Sequence, residues 1–306
     1  MDNSPAIETY GLTKTFGEKT AVSDLHLRVE RGEVFGFLGP NGAGKTTAVK
    51  MLLGLILPTA GSGALLGLPI GSPESRRRLG FLPEHFRFHE WLTGEEFLRL
   101  HAELYSLPRS EREARIPELL ELVGLQDHGR KKLSQFSKGM LQRVGLAQSL
   151  LSDPSLVFLD EPTSGLDPGG RRLVRDIIRG LREKGATVFL NSHLLSEVEI
   201  TCDRVAFINH GEVVRVTSLE ALSDGEVKVD IKARPLSSAV IEGLSVWGRV
   251  LSSDGDRLSM MARREEDLSK INKYLVEAGL EVSTLAPGQI SLEEMFIDIV
   301  GEEGGL

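Results

Sequence analysis

The sequence predicts an α/β protein with a phosphate-binding loop, followed by a smaller α+β domain. Three observations predict this class. A Gly-rich loop at residues 39–44 follows an apolar strand and precedes a helix. Two acids, Asp160 and Glu161, end a second apolar strand, and the charge balance changes near residue 220. A loop between strand and helix is the setting that phosphate binding requires, and open parallel sheets bind ligands at the carboxyl ends of their strands.

Composition is that of an ordinary globular protein: 306 residues, of which 41% are hydrophobic and 26% charged. This length allows one large domain and a smaller one. The single cysteine, Cys202, excludes an internal disulfide and fits a reducing compartment. The first ten residues lack the basic start and apolar core of a signal peptide. The longest apolar run, residues 51–57, is too short to span a bilayer, so a membrane function would require another chain.

The net charge of −8 is unevenly distributed along the chain. Residues 1–219 carry 27 acidic and 27 basic side chains, whereas residues 220–306 carry 17 and 9. This shift predicts a domain boundary, with one domain at 1–219 and an accessory or regulatory domain at 220–306. The lack of a basic face also weighs against nucleic acid as a partner.

Hydrophobic patterning predicts the elements of the first half. In "DLHLRV", residues 24–29, apolar residues alternate as in an antiparallel strand, and "ERGE" turns the chain into the strand "VFGFL". The segment "KTTAVKMLLGLIL", residues 45–57, predicts a helix of about three turns. Residues 95–153 are predicted to form amphipathic helices.

The second half begins with the buried strand "LVFL", which ends at Asp160. Asp167 and Pro168 have the pattern of an N-cap followed by proline at the first helical position, and Gly185 ends that helix. "TVFL" at 187–190 is another buried strand, and "RVAFINHGEVVRV", residues 204–216, is predicted to form a hairpin. Beyond 220 the pattern predicts strand 226–232, helix 237–242, strands 247–252 and 256–262, helix 265–278, strand 280–285 and helix 291–299. This βαββαβ order suggests a ferredoxin-like unit.

The loop "GPNGAGKT", residues 39–46, matches the pattern G-x-x-x-x-G-K-[ST]. Its glycines let backbone N–H groups close around phosphate oxygens. Lys45 should reach the β- and γ-phosphates, and the Thr46 hydroxyl should ligate Mg²⁺. The alternative is a chance Gly-rich turn, which the flanking strand and helix disfavour.

Other side chains suit the same chemistry. Asp160 would hold Mg²⁺ through water, and Glu161 would orient or deprotonate the attacking water; a solvated strand end with two acids is the alternative. His193, at the end of the next strand, either bonds the γ-phosphate or the water, or is structural. Phe16 either belongs to the core or stacks on an adenine face. The turn "FSKGM", residues 136–140, opens a helix and is a second candidate anion site.

Together and in this order, the motifs resemble the nucleotide-binding subunit of an ABC transporter over residues 1–219. The matching features are the aromatic-loop Phe16, the Walker A loop 39–47, Glu84 at the Q-loop position, the signature 136–140, Walker B 156–161, the D-loop 164–167 and the switch histidine His193. The resemblance implies a P-loop NTPase of ABC type, with a RecA-like core, an antiparallel β subdomain and a helical subdomain at about 87–153. It also implies that ATP is bound by Phe16, Gly39, Pro40, Asn41, Gly42, Ala43, Gly44, Lys45, Thr46 and Thr47.

The resemblance further implies a head-to-tail dimer, in which the signature of one subunit binds the γ-phosphate held by the other. Ser137, Gly139 and Asp167 would then act across the dimer. Lys138 and Met140 depart from the usual Leu-Ser-Gly-Gly-Gln signature. Glu84 stands where the family has Gln, and a carboxylate is a stronger Mg²⁺ ligand than an amide.

By the same resemblance, the cofactors are ATP and Mg²⁺, with Lys45, Glu161 and His193 as catalytic residues and Thr46, Asp160 and Glu84 around the metal. The partners would be a separate membrane permease and a second nucleotide-binding subunit, identical or not, at the cytoplasmic face of the cell membrane. "SKGM", "LPE" and the C-terminal domain resemble drug and polysaccharide exporters. A soluble ABC protein of DNA repair or ribosomes is one alternative, but such chains carry a coiled-coil insertion or two nucleotide domains. A nucleotide sensor without turnover is another, which the presence of Glu161 disfavours.

Overall fold

The computed structural model describes residues 4–85, 87–220, 227–288 and 292–300, the last helix with side chains to residue 297. The chain forms two compact units. The first unit comprises Met1–Val216 and Phe296–Leu306, and the second comprises Thr217–Met295. No helix in the described part of the chain is long and apolar enough to cross a membrane.

An antiparallel sheet forms one layer of the first unit, with strand order β2-β1-β4-β5. Its strands are β1 (Ile7–Phe16), β2 (Lys19–Val29), β4 (Ala60–Leu65) and β5 (Leu68–Pro69). Leu25, Leu27 and Val29 alternate with exposed residues along β2 and are buried, as their spacing predicts.

The central sheet of the first unit has the order β10-β9-β3-β8-β7-β6. Its strands are β3 (Val34–Leu38), β6 (Leu79–Leu82), β7 (Leu156–Asp160), β8 (Thr187–Asn191), β9 (Arg204–Asn209) and β10 (Glu212–Ser218). The β6–β7, β7–β8, β3–β8 and β3–β9 pairs are parallel. Stacked and tilted phenylalanine rings fill its core: Phe35, Phe37, Phe158 and Phe189.

The turn "ERGE" leads from β2 into β3 as predicted, and β3 lies in the central sheet between β8 and β9. All five residues of β3 are buried. A strand buried along its whole length needs cover on both faces, which a parallel α/β sheet provides and a one-sided antiparallel sheet does not.

The helices of the first unit are α1 (Lys45–Leu52), α2 (Pro73–Arg76), α3 (Gly94–Leu104), α4 (Arg109–Leu122), α5 (Lys138–Ser149), α6 (Pro168–Glu183) and α7 (Leu195–Thr201). Helix α1 is shorter than the predicted span to residue 57. It ends because Gly54 has a left-handed φ of 65° and packs so closely on Gly71 that a Cβ there would lie 2.5 Å from the Gly71 Cα. Asp167 and Gly185 bound α6 as predicted.

The second unit contains β11 (Val227–Arg234), α8 (Ser238–Leu244), β12 (Gly248–Asp254), β13 (Arg257–Ala262), α9 (Asp267–Glu277) and β14 (Glu281–Gly288). Its sheet is antiparallel with the order β12-β13-β11-β14, and the succession is βαββαβ. A separate core includes Val229, Ile231, Leu244, Ile271 and Leu275. Helix α10 (Leu292–Val300) follows. Residue 226 of the predicted first strand and residue 291 of the predicted last helix lie outside the described residues.

Candidate functional site

The Gly-rich loop joins β3 to α1, and its glycines are required by close backbone contacts. A Cβ on Gly39 would lie 2.2 Å from the Ile208 carbonyl oxygen. Gly44 has a φ of 104°, and a Cβ there would lie 2.4 Å from the carbonyl oxygen of Ala21. Positions 39 and 44 therefore lie too close to neighbouring strands for any residue with a Cβ. The loop ends at the start of α1, where the first N–H groups lack helical partners.

Lys45 is held by the loop that precedes it. Its ammonium donates to the carbonyl oxygens of Gly39 at 2.6 Å and Pro40 at 3.1 Å. Burial lowers the pKa of Lys45, while the negative charges of Glu161 and Asp160 oppose that shift. The lysine is thus a half-buried cation on the loop, with carboxylates close enough to affect its charge.

The loop, β2 and the ends of β7 and β8 surround a cleft of 690 Å³. Its lining includes Phe16, Lys45, Glu84, Glu161 and His193, together with Asn41, Gly42, Gly44, Thr46 and Thr47. Three of the residues expected to bind nucleotide are not among the described residues that line the cleft: Gly39, Pro40 and Ala43. The other loop residues expected to bind nucleotide do line it.

Phe16 lies at this cleft and not in the core. It is 52% exposed, and the Lys14 ammonium lies 5.0 Å from the centre of its ring. Of the two interpretations that the sequence left open, the core position is excluded. An aromatic ring on the rim of a cleft is available for stacking.

Asp160 ends β7 and is only 4% exposed. Burial raises its pKa to about 6, against an opposing hydrogen bond from Asn191, and the charges of Glu84 and Glu161 raise it further. The Asn191 amide donates to the Asp160 carboxylate at 2.5 Å. Asp160, Glu84 and Glu161 are close enough for their negative charges to repel, and a bound cation would relieve this repulsion.

Glu161 occupies a constrained position directly after this strand. It is buried and has a φ of 53°, which is unusual for a residue with a side chain. The His193 backbone N–H donates to its Oε1 at 2.9 Å, and the His193 Nδ1 lies 2.7 Å from its Oε2. Gln142 donates to the Glu161 carbonyl oxygen at 3.1 Å. The glutamate and histidine thus form one unit facing the cleft.

Two residues of this site, Asn191 and Gln142, were missed by the sequence analysis. Asn191 pairs in register with Asp160 at the ends of adjacent parallel strands. A polar residue ending the apolar run "TVFLN" was a usable signal for it. Gln142 has no such signal, because its contact depends on how α5 packs against the end of β7.

Thr46, Asp160 and Glu84, the expected Mg²⁺ ligands, offer hydroxyl and carboxylate oxygens. No group of three or more His, Cys, Asp and Glu side chains suited to a metal occurs within the described ranges. Thr46 and Glu84 line the cleft, and Asp160 is coupled to Glu84 by charge. The hydroxyl and carboxylate oxygens present are those that Mg²⁺ accepts when most of its other ligands are water and phosphate.

A second cleft, of 530 Å³, lies at the start of α5 and α6. The Ser137 hydroxyl accepts from the Met140 N–H at 3.3 Å, and the Asp167 carboxylate accepts from the Gly170 N–H at 2.7 Å. Ser137, Gly139 and Asp167 line this cleft and do not line the one at the Gly-rich loop. Ser137 and Gly139 of "FSKGM" therefore line a different cleft from the phosphate loop of their own chain.

Glu84 has a side chain that is 46% exposed and lies 3.6 Å from His85 Nδ1. It lines the loop cleft and also a groove of 870 Å³. That groove continues along the helical segment, where its lining includes Phe88, Phe136 and Leu141. Glu84 is thus shared between the site and a neighbouring surface.

Comparison with known proteins agrees with the motifs. A family profile described as ABC transporter matches residues 22–164. An uncharacterised ABC transporter ATP-binding protein of Nostoc sp. is 55% identical over 90% of this chain and 82% of its own. The bacitracin transport ATP-binding protein of Bacillus licheniformis is 35% identical over 97% of this chain and 98% of its own. The daunorubicin resistance ATP-binding protein of Streptomyces coeruleorubidus is 38% identical over 97% of this chain and 96% of its own length.

Solved structures show the same relationship. The ATP-binding subunit of an ABC transporter, 33% identical, covers 71% of this chain and 91% of its own with a TM-score of 0.66. A dimeric ATP-binding cassette in a post-hydrolysis state, bound to ADP and phosphate, is 26% identical. It covers 70% of this chain and 98% of its own with a TM-score of 0.64.

Proposed function

Since this chain belongs to the ATP-binding subunits of ABC transporters, which are ATPases, we propose that two copies bind two MgATP molecules between them and drive a separate membrane permease. The observation that carries the proposal is the separation of Ser137 and Gly139 from the chain's own Gly-rich loop. Two candidate anion sites in different clefts are explained if each nucleotide is held by the loop of one copy and the signature of the other.

Within one copy, the loop would bind the phosphates through its N–H groups at the start of α1. Lys45 would exchange its bonds to the Gly39 and Pro40 carbonyl oxygens for bonds to the β- and γ-phosphates. Phe16 would stack on the adenine ring at the rim of the cleft. Burial of Lys45 strengthens the attraction, because the interaction is poorly screened by water.

The oxygens of Thr46, Asp160 and Glu84 fit Mg²⁺, which would neutralise phosphate charge and shield the crowded carboxylates. Asn191 would keep the Asp160 carboxylate oriented. Of the two carboxylates, Glu84 is the more exposed, and it stands where the family has Gln. Because Glu84 lines both the nucleotide cleft and the groove of 870 Å³, its carboxylate would link Mg²⁺ binding to that groove.

Glu161 would orient the attacking water and accept its proton. Its backbone is held by Gln142, and its carboxylate by His193. His193 would position Glu161 and bond the γ-phosphate. Charge on the transferring phosphoryl group would be stabilised by Lys45 and, from the facing copy, by the signature.

We also propose that the permease contacts the groove beside Glu84 from the inner face of the cell membrane. The groove joins the nucleotide cleft to apolar side chains of the helical segment, and Trp91 nearby in the chain is 68% exposed. The names of the relatives that transport bacitracin or confer daunorubicin resistance support export of drug-like compounds. Residues 220–306 would form an accessory domain outside the hydrolytic site, apart from Phe296–Leu306, which group with the first unit.

The test uses Glu161→Gln, whose amide cannot accept the water's proton. Steady-state hydrolysis should fall more than about tenfold, and ATP should convert the variant to a dimer on a sizing column. Adding Ser137→Glu should prevent dimerisation, because a carboxylate would face phosphate oxygens in a dry interface. ATP affinity of the monomeric double variant should stay near that of Glu161→Gln. A loss of ATP affinity in that monomer would mean that the signature serves its own chain's nucleotide.

A further inference from the structure

The turn between β9 and β10 consists of His210 and Gly211, and it is fixed to the Gly-rich loop by backbone hydrogen bonds. The Gly211 N–H donates to the Ala43 carbonyl oxygen at 2.9 Å. The Gly211 carbonyl oxygen accepts from the Ser23 N–H, also at 2.9 Å. The turn therefore has a set position relative to both the phosphate loop and β2.

The geometry of this turn explains its glycine but does not call for a histidine. Both residues have a left-handed backbone, with a φ of 48° for His210 and 86° for Gly211. A Cβ on Gly211 would lie 2.9 Å from the Ala21 carbonyl oxygen, so position 211 requires glycine. At the first position of a two-residue hairpin turn of this kind, the favoured residues are Asn, Asp and Gly. The imidazole at position 210 thus needs another explanation.

The His210 side chain is exposed and lines the cleft of 690 Å³. It forms no hydrogen bond or ion pair with another residue in the part of the chain that the structure describes. A neutral imidazole has one N–H donor and one nitrogen acceptor. Both are therefore available to a molecule that occupies the cleft.

The wall of the cleft beside this turn runs from the aromatic ring to the phosphate loop. Phe16 pairs in register with Lys19 at one end of β2. Two residues further on, about 7 Å along the strand, the carbonyl oxygen of Ala21 lies against both Gly44 of the loop and Gly211 of the turn. The histidine of the turn thus lies at the loop end of this wall. With a base on the ring and phosphates on the loop, the ribose is the part of a nucleotide that lies alongside.

On the basis of the proposed binding of ATP in this cleft, we infer that the His210 imidazole forms a hydrogen bond with a ribose hydroxyl of the nucleotide. A hydroxyl both donates and accepts, so either tautomer of the imidazole can form this bond. A site that hydrogen-bonds a substrate hydroxyl discriminates against the analogue that lacks it. His210 is therefore a specificity-determining residue that favours ribonucleotides over deoxyribonucleotides.

The experiment is a calorimetric titration with the Mg²⁺ complexes of ADP, 2′-deoxyADP, 3′-deoxyADP and pyrophosphate. None of these carries a γ-phosphate, so neither hydrolysis nor the proposed dimer interferes. His210→Gly removes the imidazole and suits the left-handed backbone. We expect it to weaken ADP binding about three- to tenfold, as for the loss of one hydrogen bond, and to leave pyrophosphate binding unchanged. The wild-type protein should disfavour one of the two deoxynucleotides by a similar factor, and His210→Gly should bind that deoxynucleotide and ADP equally well.

His26→Ala is the matched control, since His26 is exposed on β2, contacts Asp24 and does not line the cleft. Equal ADP affinity in His210→Gly and wild type would overturn the inference. So would equal losses for ADP and both deoxynucleotides, which would place the imidazole on the base, and so would a loss for pyrophosphate, which would mean that His210 supports the loop. Lys45→Ala should weaken the binding of both ADP and pyrophosphate. If it weakened neither, the proposed function would fail, and this inference with it.

Discussion

Replacing Asp160 with asparagine should stabilise the nucleotide-free protein, although it removes a residue of the site. Asp160 is 4% exposed, and its pKa is raised from 3.8 to about 6. Between pH 3.8 and about 6, the Asp160 carboxyl thus keeps its proton in the folded chain and loses it in the unfolded chain. Stability contributed by this protonated form is fully present below pH 3.8 and is lost as the pH rises through 6. An amide at this position carries no charge to desolvate and can still accept from Asn191.

The pKa values set the size of the effect. At pH 7.5 the shift corresponds to about 3 kcal/mol of lost stability, and at pH 4.5 to about 1 kcal/mol. For a unit of this size, each kcal/mol moves the unfolding midpoint by about 2–4 °C. Asp160→Asn should therefore raise the midpoint by roughly 6–12 °C at pH 7.5 and by roughly 2–4 °C at pH 4.5.

Differential scanning calorimetry at several pH values measures this difference directly. Asp127→Asn is the control, since Asp127 is exposed and outside the cleft. Addition of MgATP should raise the midpoint of the wild-type protein more than that of Asp160→Asn, because the metal favours a charged carboxylate. A lower midpoint for Asp160→Asn at pH 7.5, or a difference independent of pH, would refute the argument that burial and crowding destabilise this carboxylate.

Two further predictions concern the loop and the domain boundary. Lys45→Ala should reduce ATP affinity by at least about tenfold, because it removes a charge-assisted contact worth roughly 1.5–3 kcal/mol, while circular dichroism should show an unchanged fold; unaltered affinity in a nucleotide titration would exclude the phosphate-loop assignment. A chain ended at residue 219 should still fold, bind ATP and hydrolyse it; binding without hydrolysis at any protein concentration would make residues 220–306 part of the hydrolytic unit or of the dimer contact.

Local chemistry made several features predictable from the sequence. The phosphate loop depends on glycines and a lysine within eight consecutive residues. The Asp167 cap of α6 depends on a hydrogen bond to an N–H three residues away. Asp160 and Glu161 follow an apolar run whose length and burial are typical of a central strand. The βαββαβ succession of the second unit is also evident from alternating apolar patterns.

Other features depend on long-range packing, and the sequence left them open or pointed the wrong way. The contacts of Asn191 with Asp160 and of Gln142 with Glu161 join residues 31 and 19 positions apart. They exist only because β7 and β8 are adjacent in register and α5 brings Gln142 to the residue that follows β7. Likewise, the close contact of Gly54 with Gly71 ends α1 earlier than the apolar pattern to residue 57 predicted.

The sequence by itself therefore determined which chemical groups the protein has, since motif residues lie close together along the chain. Tertiary structure decided which groups meet. Phe16 lies at the cleft and not in the core, His193 contacts the Glu161 carboxylate, and the aliphatic stem of Lys138 packs on Gly165. The physical reason is that a cap or loop closes through bonds between near neighbours. A contact between distant residues depends on strand order and helix packing, and these are set by burial of the whole core.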